Sequence, residues 1–175
     1  MVVENKQTVN SASWRSHHKS KVIERSDLKK KVDELKQQQK RIVTTNGSFD
    51  LLHAGHMHTL YEASKLGDVL IVGLNSDASI KSYKGPKRPI IPCHYRVEMM
   101  AALSFVDFVV VFDELDPRRL LEVIAPDIHV NSAEYGEDCI EKHTVESGGG
   151  LIKLIEKIEG LSTSQVIERV IACMK

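Results

Sequence analysis

A chain of 175 residues, 42% apolar and 27% charged, has the composition of one ordinary globular domain, long enough to bury a normal core. Lysine plus arginine balance aspartate plus glutamate at 24 each, so no net field favours nucleic acid or an anionic membrane as partner. No apolar run approaches the roughly 18 residues of a membrane span; MVVENKQTVN lacks the pattern of a secretion signal; and Cys93, Cys139 and Cys173 read as free thiols of a reducing compartment, the cytoplasm.

Residues 1 to about 22 are polar and mixed in charge, and are expected to form a tail; SWRSHHKSK within it reads as a solvated terminus rather than a metal or nucleic-acid site. An N-terminal helix is expected within 23–40, with Ser26 as its cap, Asp27 at the positive end of its dipole, and Leu28, Val32 and Leu35 on one apolar stripe. From Arg41 to the end, short apolar runs alternate with helical patterns. RIVTT, DVLIVGL, DFVVVF, DIHVN and LIKLI read as strands; HMHTLYEASKL, HYRVEMMAALSF, DPRRLLEVIA, CIEKHTVES and STSQVIERVIACM read as helices. Continuously apolar strands separated by helices predict an α/β fold of Rossmann type over 41–175, a parallel sheet of about five strands with helices on both faces. In such sheets ligands bind at the carboxyl ends of the strands, where strand order reverses.

TNGSFDLLHAGH falls at such a place, after the first strand and opening a helix. His53 and His56 stand beside a helix start whose unbonded N–H groups attract anions, and Gly55 between them lets the backbone approach a ligand. Two imidazoles there can both donate to one phosphate, the reading preferred over a packed loop histidine and a capping one. His58 is expected on the surface.

NSDASIKSYKGPKRPI follows the second strand and is expected to be a basic loop. Lys84 and Arg88, beside Gly85, Pro86 and Pro89, are the cations expected to meet phosphate, whereas Lys81 and Lys87 are equally consistent with solvated positions. EGLSTSQVIERV sets Gly160, Ser162, Thr163 and Ser164 at the start of the last helix, a second phosphate-binding end. SGGGL lies between helix and strand, the wrong order for a nucleotide-binding glycine loop, and reads as a helix stop. Asp113, Glu114 and Asp116 read mainly as turn and cap residues.

NGSFDLLHAGH, KGPKRP, Arg96 in the following helix and EGLSTSQVIERV, in that order, resemble the H-x-G-H nucleotidyltransferases, and among them the D-glycero-β-D-manno-heptose 1-phosphate adenylyltransferases. The resemblance runs from about Val22 to Met174. It implies the nucleotidyltransferase fold, with His53, His56 and Lys84 as catalytic phosphate contacts. It further implies a nucleotide side formed by Asn46, Gly47, Ser48, Phe49, Gly55, Arg96, Gly160 and Ser162 to Ser164, with Arg96 also holding the geometry, and Asp50 and Arg88 on the acceptor. ATP and a sugar 1-phosphate are the implied substrates, Mg2+ is carried by the triphosphate rather than by a protein site, and the implied assembly is a homo-oligomer, a dimer. The family's Lys-Gly-Gly-Asp-Tyr is replaced here by Asn131, Ser132, Ala133, Glu134 and Tyr135. The GTFDLLHxGH and RTEGISTS patterns of the glycerol-3-phosphate and phosphoethanolamine cytidylyltransferases are also approached, with Lys157 at the position of their arginine. CTP with a small phosphoalcohol is therefore an alternative pair, and a nucleotide-binding module without chemistry is another.

Overall fold

A computed structural model describes residues 18–136, 138–156, 158 and 162–174. In chain order the elements are β1 (Val22–Ile23), α1 (Leu28–Gln37), β2 (Ile42–Gly47), α2 (Ala54–Ser64), β3 (Val69–Asn75), α3 (Asp77–Lys84), α4 (Cys93–Ala102), β4 (Phe108–Phe112), α5 (Arg118–Ile124), β5 (Ile128–Ser132), α6 (Lys142–Ser147), β6 (Leu151–Ile155) and α7 (Thr163–Cys173). All strand pairs are parallel, in the order β1-β4-β3-β2-β5-β6. From β2 the chain builds outward through β3 to β4, then crosses back to add β5 and β6 on the other side. The order therefore reverses between β2 and β5, which opens a crevice at their carboxyl ends.

Two apolar layers explain why the strands are apolar on both faces. One packs Val43, Leu70, Val72 and Val130 against Leu60 and Ala63 of α2 and Met100 and Ala101 of α4. The other packs Ile42, Ile71, Val110 and Phe112 against Leu28, Val32 and Leu35 of α1 and Leu120 and Ile124 of α5. Burial on both faces removes the period-two alternation of a half-exposed sheet.

The structure departs from the expected outline in four places. Among the described residues the sheet has six strands rather than five, because Val22 and Ile23 pair with Val109 and Val110. Residues 18–22, assigned to the tail, thus enter the fold, and Lys21 Nζ donates to the carbonyls of Leu103 and Val106 at 2.9 and 2.7 Å. Asp27, not Ser26, is the N-cap of α1, without a side-chain cap bond. The segment after β3, expected as a loop, begins with a two-turn helix, α3, because the Ser76 hydroxyl accepts from Ser79 N at 3.1 Å. SGGGL does end a helix: α6 stops at Ser147, Gly149 has φ +85°, and a Cβ on Gly150 would lie 2.1 Å from the Pro126 carbonyl oxygen.

His129 of β5 is fully buried, with Nδ1 2.8 Å from the Thr44 hydroxyl. Burial lowers its pKa from 6.5 to about 3, so it stays neutral in the fold. The unfolded chain binds a proton below pH 6.5 that the folded chain refuses until about pH 3, so stability falls as pH drops through that window. Between pH 7 and pH 5 the loss should be about 2 kcal/mol. Denaturant titrations at the two pH values should show it in the wild type and a much smaller loss in His129→Leu. Equal losses in both would remove His129 as the cause.

Candidate active site

The carboxyl end of β2 runs into the loop 48–53, and His53 is the N-cap of α2. Its extended backbone, φ −145° and ψ 169°, suits a cap position, but its imidazole makes no cap bond. His56, one turn in, stacks on it with centroids 3.8 Å apart and planes at 24°. Phe49 stands edge-on to His56 at 5.3 Å, buried, with a left-handed φ of +42°. Gly47 leaves room for that ring, since a Cβ there would meet Phe49 Cε2 at 3.2 Å. Gly55 is buried in the first turn of α2, so the two imidazoles share a helix start with unbonded backbone donors. His58 is half-buried rather than on the surface.

Two long side chains fix this loop from the β3 side. Lys84 Nζ, at the end of α3, donates to the Ser48 hydroxyl at 3.0 Å. Partial desolvation of the ammonium, with a smaller repulsion from Arg88, lowers the pKa of Lys84. Arg96 of α4 is fully buried and spends its guanidinium inside the protein. Its Nη1 donates to the carbonyls of Ser48 (2.6 Å) and Asn75 (2.8 Å), Nε to that of Ile91 (2.9 Å), and Nη2 to Asp77 Oδ1 (2.7 Å). It thereby ties the ends of β2 and β3 and the segment before α4 to one planar group.

Asp50 was expected on the acceptor, and the structure gives it another task. Its buried carboxylate accepts from the backbone N–H groups of Ile90 and Ile91 at 2.8–2.9 Å and from Arg88 Nη1 at 3.1 Å. The carboxylate holds the end of the basic segment, and Arg88 is anchored to it, so 84–91 is fastened to 48–50 at both ends. Lys81 and Lys87 remain exposed.

On the far side of the crevice, Asn131 and Glu141 are buried together, with Asn131 Nδ2 donating to Glu141 Oε2 at 3.1 Å. The first residue that departs from the resembling family's pattern is thus engaged with α6. Asn46, at the end of β2, is turned toward Gly73, whose Cβ would lie 3.3 Å from its own. Ser162 caps α7, accepting from Gln165 N at 3.2 Å, with Thr163 and Ser164 in the first turn. Gly160 and Lys157 lie outside the described residues. Asp116 accepts locally from Arg118 N at 3.0 Å and from its guanidinium, whereas Glu114 pairs with the distant Arg25 at 3.2 Å. Among the described residues no cluster of three or more His, Cys, Asp or Glu could hold a metal ion, and no helix is long and apolar enough to cross a membrane.

Residues 44–169 match the model of the cytidylyltransferase-like family. Curated relatives described as "Bifunctional protein HldE" include that of Syntrophotalea carbinolica, 46% identical over 87% of this chain and 31% of its own length. Those of Geotalea uraniireducens (48%, over 75% of this chain and 27% of its own) and Campylobacter jejuni subsp. doylei (45%, 86% and 33%) are similar. The chain thus spans about a third of the length of these relatives. Among solved structures, the lipopolysaccharide core biosynthesis protein from Thermoplasma volcanium GSS1 superposes with a TM-score of 0.56 at 28% identity, over 68% of this chain and 97% of that one.

Proposed function

Because the chain belongs to the cytidylyltransferase-like family and is a nucleotidyltransferase, we propose that it transfers AMP from ATP to D-glycero-β-D-manno-heptose 1-phosphate, releasing pyrophosphate and giving ADP-heptose for lipopolysaccharide precursors. The observation that carries this reading is the stacked His53–His56 pair at the start of α2, beside Lys84 on Ser48. The names of the relatives and the Thermoplasma volcanium protein support the pathway assignment.

A sugar phosphate oxygen attacks the α-phosphorus in line, the bond to the bridging oxygen breaks, and pyrophosphate leaves. With a second pKa near 6 the attacking phosphate is already mostly ionised at neutral pH, so no general base is needed. The protein must instead align two anions and stabilise charge that grows on the α-phosphate. His53, His56, the helix start and Lys84 supply donors for that charge, and Ser162 to Ser164 with the start of α7 receive the triphosphate tail. Magnesium carried by the triphosphate, rather than by a protein site, would supply charge relief on the leaving pyrophosphate.

A second reading has one observation in its favour. The nucleotide side of the crevice carries the buried Asn131–Glu141 pair where heptose adenylyltransferases have lysine, so CTP with a phosphoalcohol is the competing substrate pair. ATP and CTP, each with heptose 1-phosphate and glycerol 3-phosphate, should release pyrophosphate fastest for ATP with heptose 1-phosphate. A maximum for CTP with glycerol 3-phosphate would establish the second reading, and nucleotide binding without pyrophosphate in any combination would leave only a binding module.

A further inference from the structure

We propose that Tyr83 is the platform on which the ring of the acceptor sugar rests, and so selects ring-bearing phosphates over short phosphoalcohols; this rests on the transfer reaction proposed above. Tyr83 is the penultimate residue of α3 and is 45% exposed, so its ring is open to a ligand. The Lys84 ammonium lies 5.5 Å from its ring centroid and 3.0 Å from the Ser48 hydroxyl. The tyrosine ring is therefore no further from the loop than those two distances laid end to end, about the reach of one sugar phosphate. With the phosphate on Lys84, the carbons of a pyranose would lie within reach of the aromatic face, and the phenol could bond its hydroxyls.

Topology puts this position on the β3 side of the crevice, at the end of the sheet away from β5. The crevice where strand order reverses lies between β2 and β5, whereas α3 follows β3 on the opposite side of β2. The fastening of 84–91 to Ser48 and Asp50 holds the platform in place before any substrate arrives.

The test is calorimetric binding of heptose 1-phosphate and of glycerol 3-phosphate to the full chain in the presence of a non-hydrolysable ATP analogue, together with steady-state KM and kcat. Tyr83→Ala should weaken heptose 1-phosphate, in Kd and in KM, by about tenfold, the upper end for one aromatic contact. Tyr83→Phe should stay within about twofold, and neither variant should change the affinity for the ATP analogue. An unchanged Kd for heptose 1-phosphate in Tyr83→Ala, or an equal loss for glycerol 3-phosphate, overturns the platform while leaving the reaction intact. Wild-type protein that binds the analogue but not heptose 1-phosphate overturns the proposed acceptor and the platform together.

Discussion

His56→Ala should lower turnover by about 10²–10³ while leaving the protein folded. That factor is the usual cost of deleting one preorganised donor from a transition state whose charge it was placed to meet. The fold should survive because His56 is a half-buried helix residue, outside both apolar layers, that stacks on His53 and meets Phe49 edge-on. Such contacts are worth about 0.5–1.5 kcal/mol each, a small part of a typical domain's 5–15 kcal/mol. His56→Gln, which restores an N–H donor, should recover part of the rate. The measurement is pyrophosphate release under saturating ATP, with thermal unfolding as the control for folding. Wild-type turnover in the alanine variant would remove His56 from the reaction.

The parts of this site that were legible in the sequence share one property: local chemistry states them. A buried strand, a glycine between two histidines and a helix pattern adjoin within NGSFDLLHAGH, so the β2–α2 junction is legible in the sequence alone. The strand β1 could not, because two residues carry no period; Val22 and Ile23 are a strand only through Val109 and Val110, far along the chain. The helix α3 was hidden for a related reason. Its buried residues are Ser79 and Ile80, and Ser79 is held by Asn75 Nδ2 at 2.9 Å and by donating to the Glu114 carbonyl at 2.7 Å, so tertiary hydrogen bonds stand where an apolar stripe would have announced a helix. Asp50 shows the converse. The resemblance implies a place on the acceptor, but the N–H groups its carboxylate accepts from belong to Ile90 and Ile91, some forty residues later.

Arg96→Ala should cost about 3–5 kcal/mol of stability, the range for removing one partner from a buried charged network, and lower Tm by roughly 6–20 °C for a chain of this size. Alanine leaves the carbonyls of Ser48, Asn75 and Ile91 without their shared donor and Asp77 without its cation, all at the end of the sheet that carries the site. That loss alone would not distinguish a scaffold residue from one that serves the reaction, and Arg96→Lys does. An ammonium keeps the charge in a compact head and cannot reproduce the planar fork that spans Ser48, Asn75 and Asp77 together. The lysine variant should therefore lose less Tm than the alanine variant while its kcat still falls by at least about tenfold, since a loop misplaced by about 1 Å already costs more than that. Lysine with full turnover would mean that charge, not the fork, holds Ser48 in place, and would make the loop's geometry independent of the buried arginine.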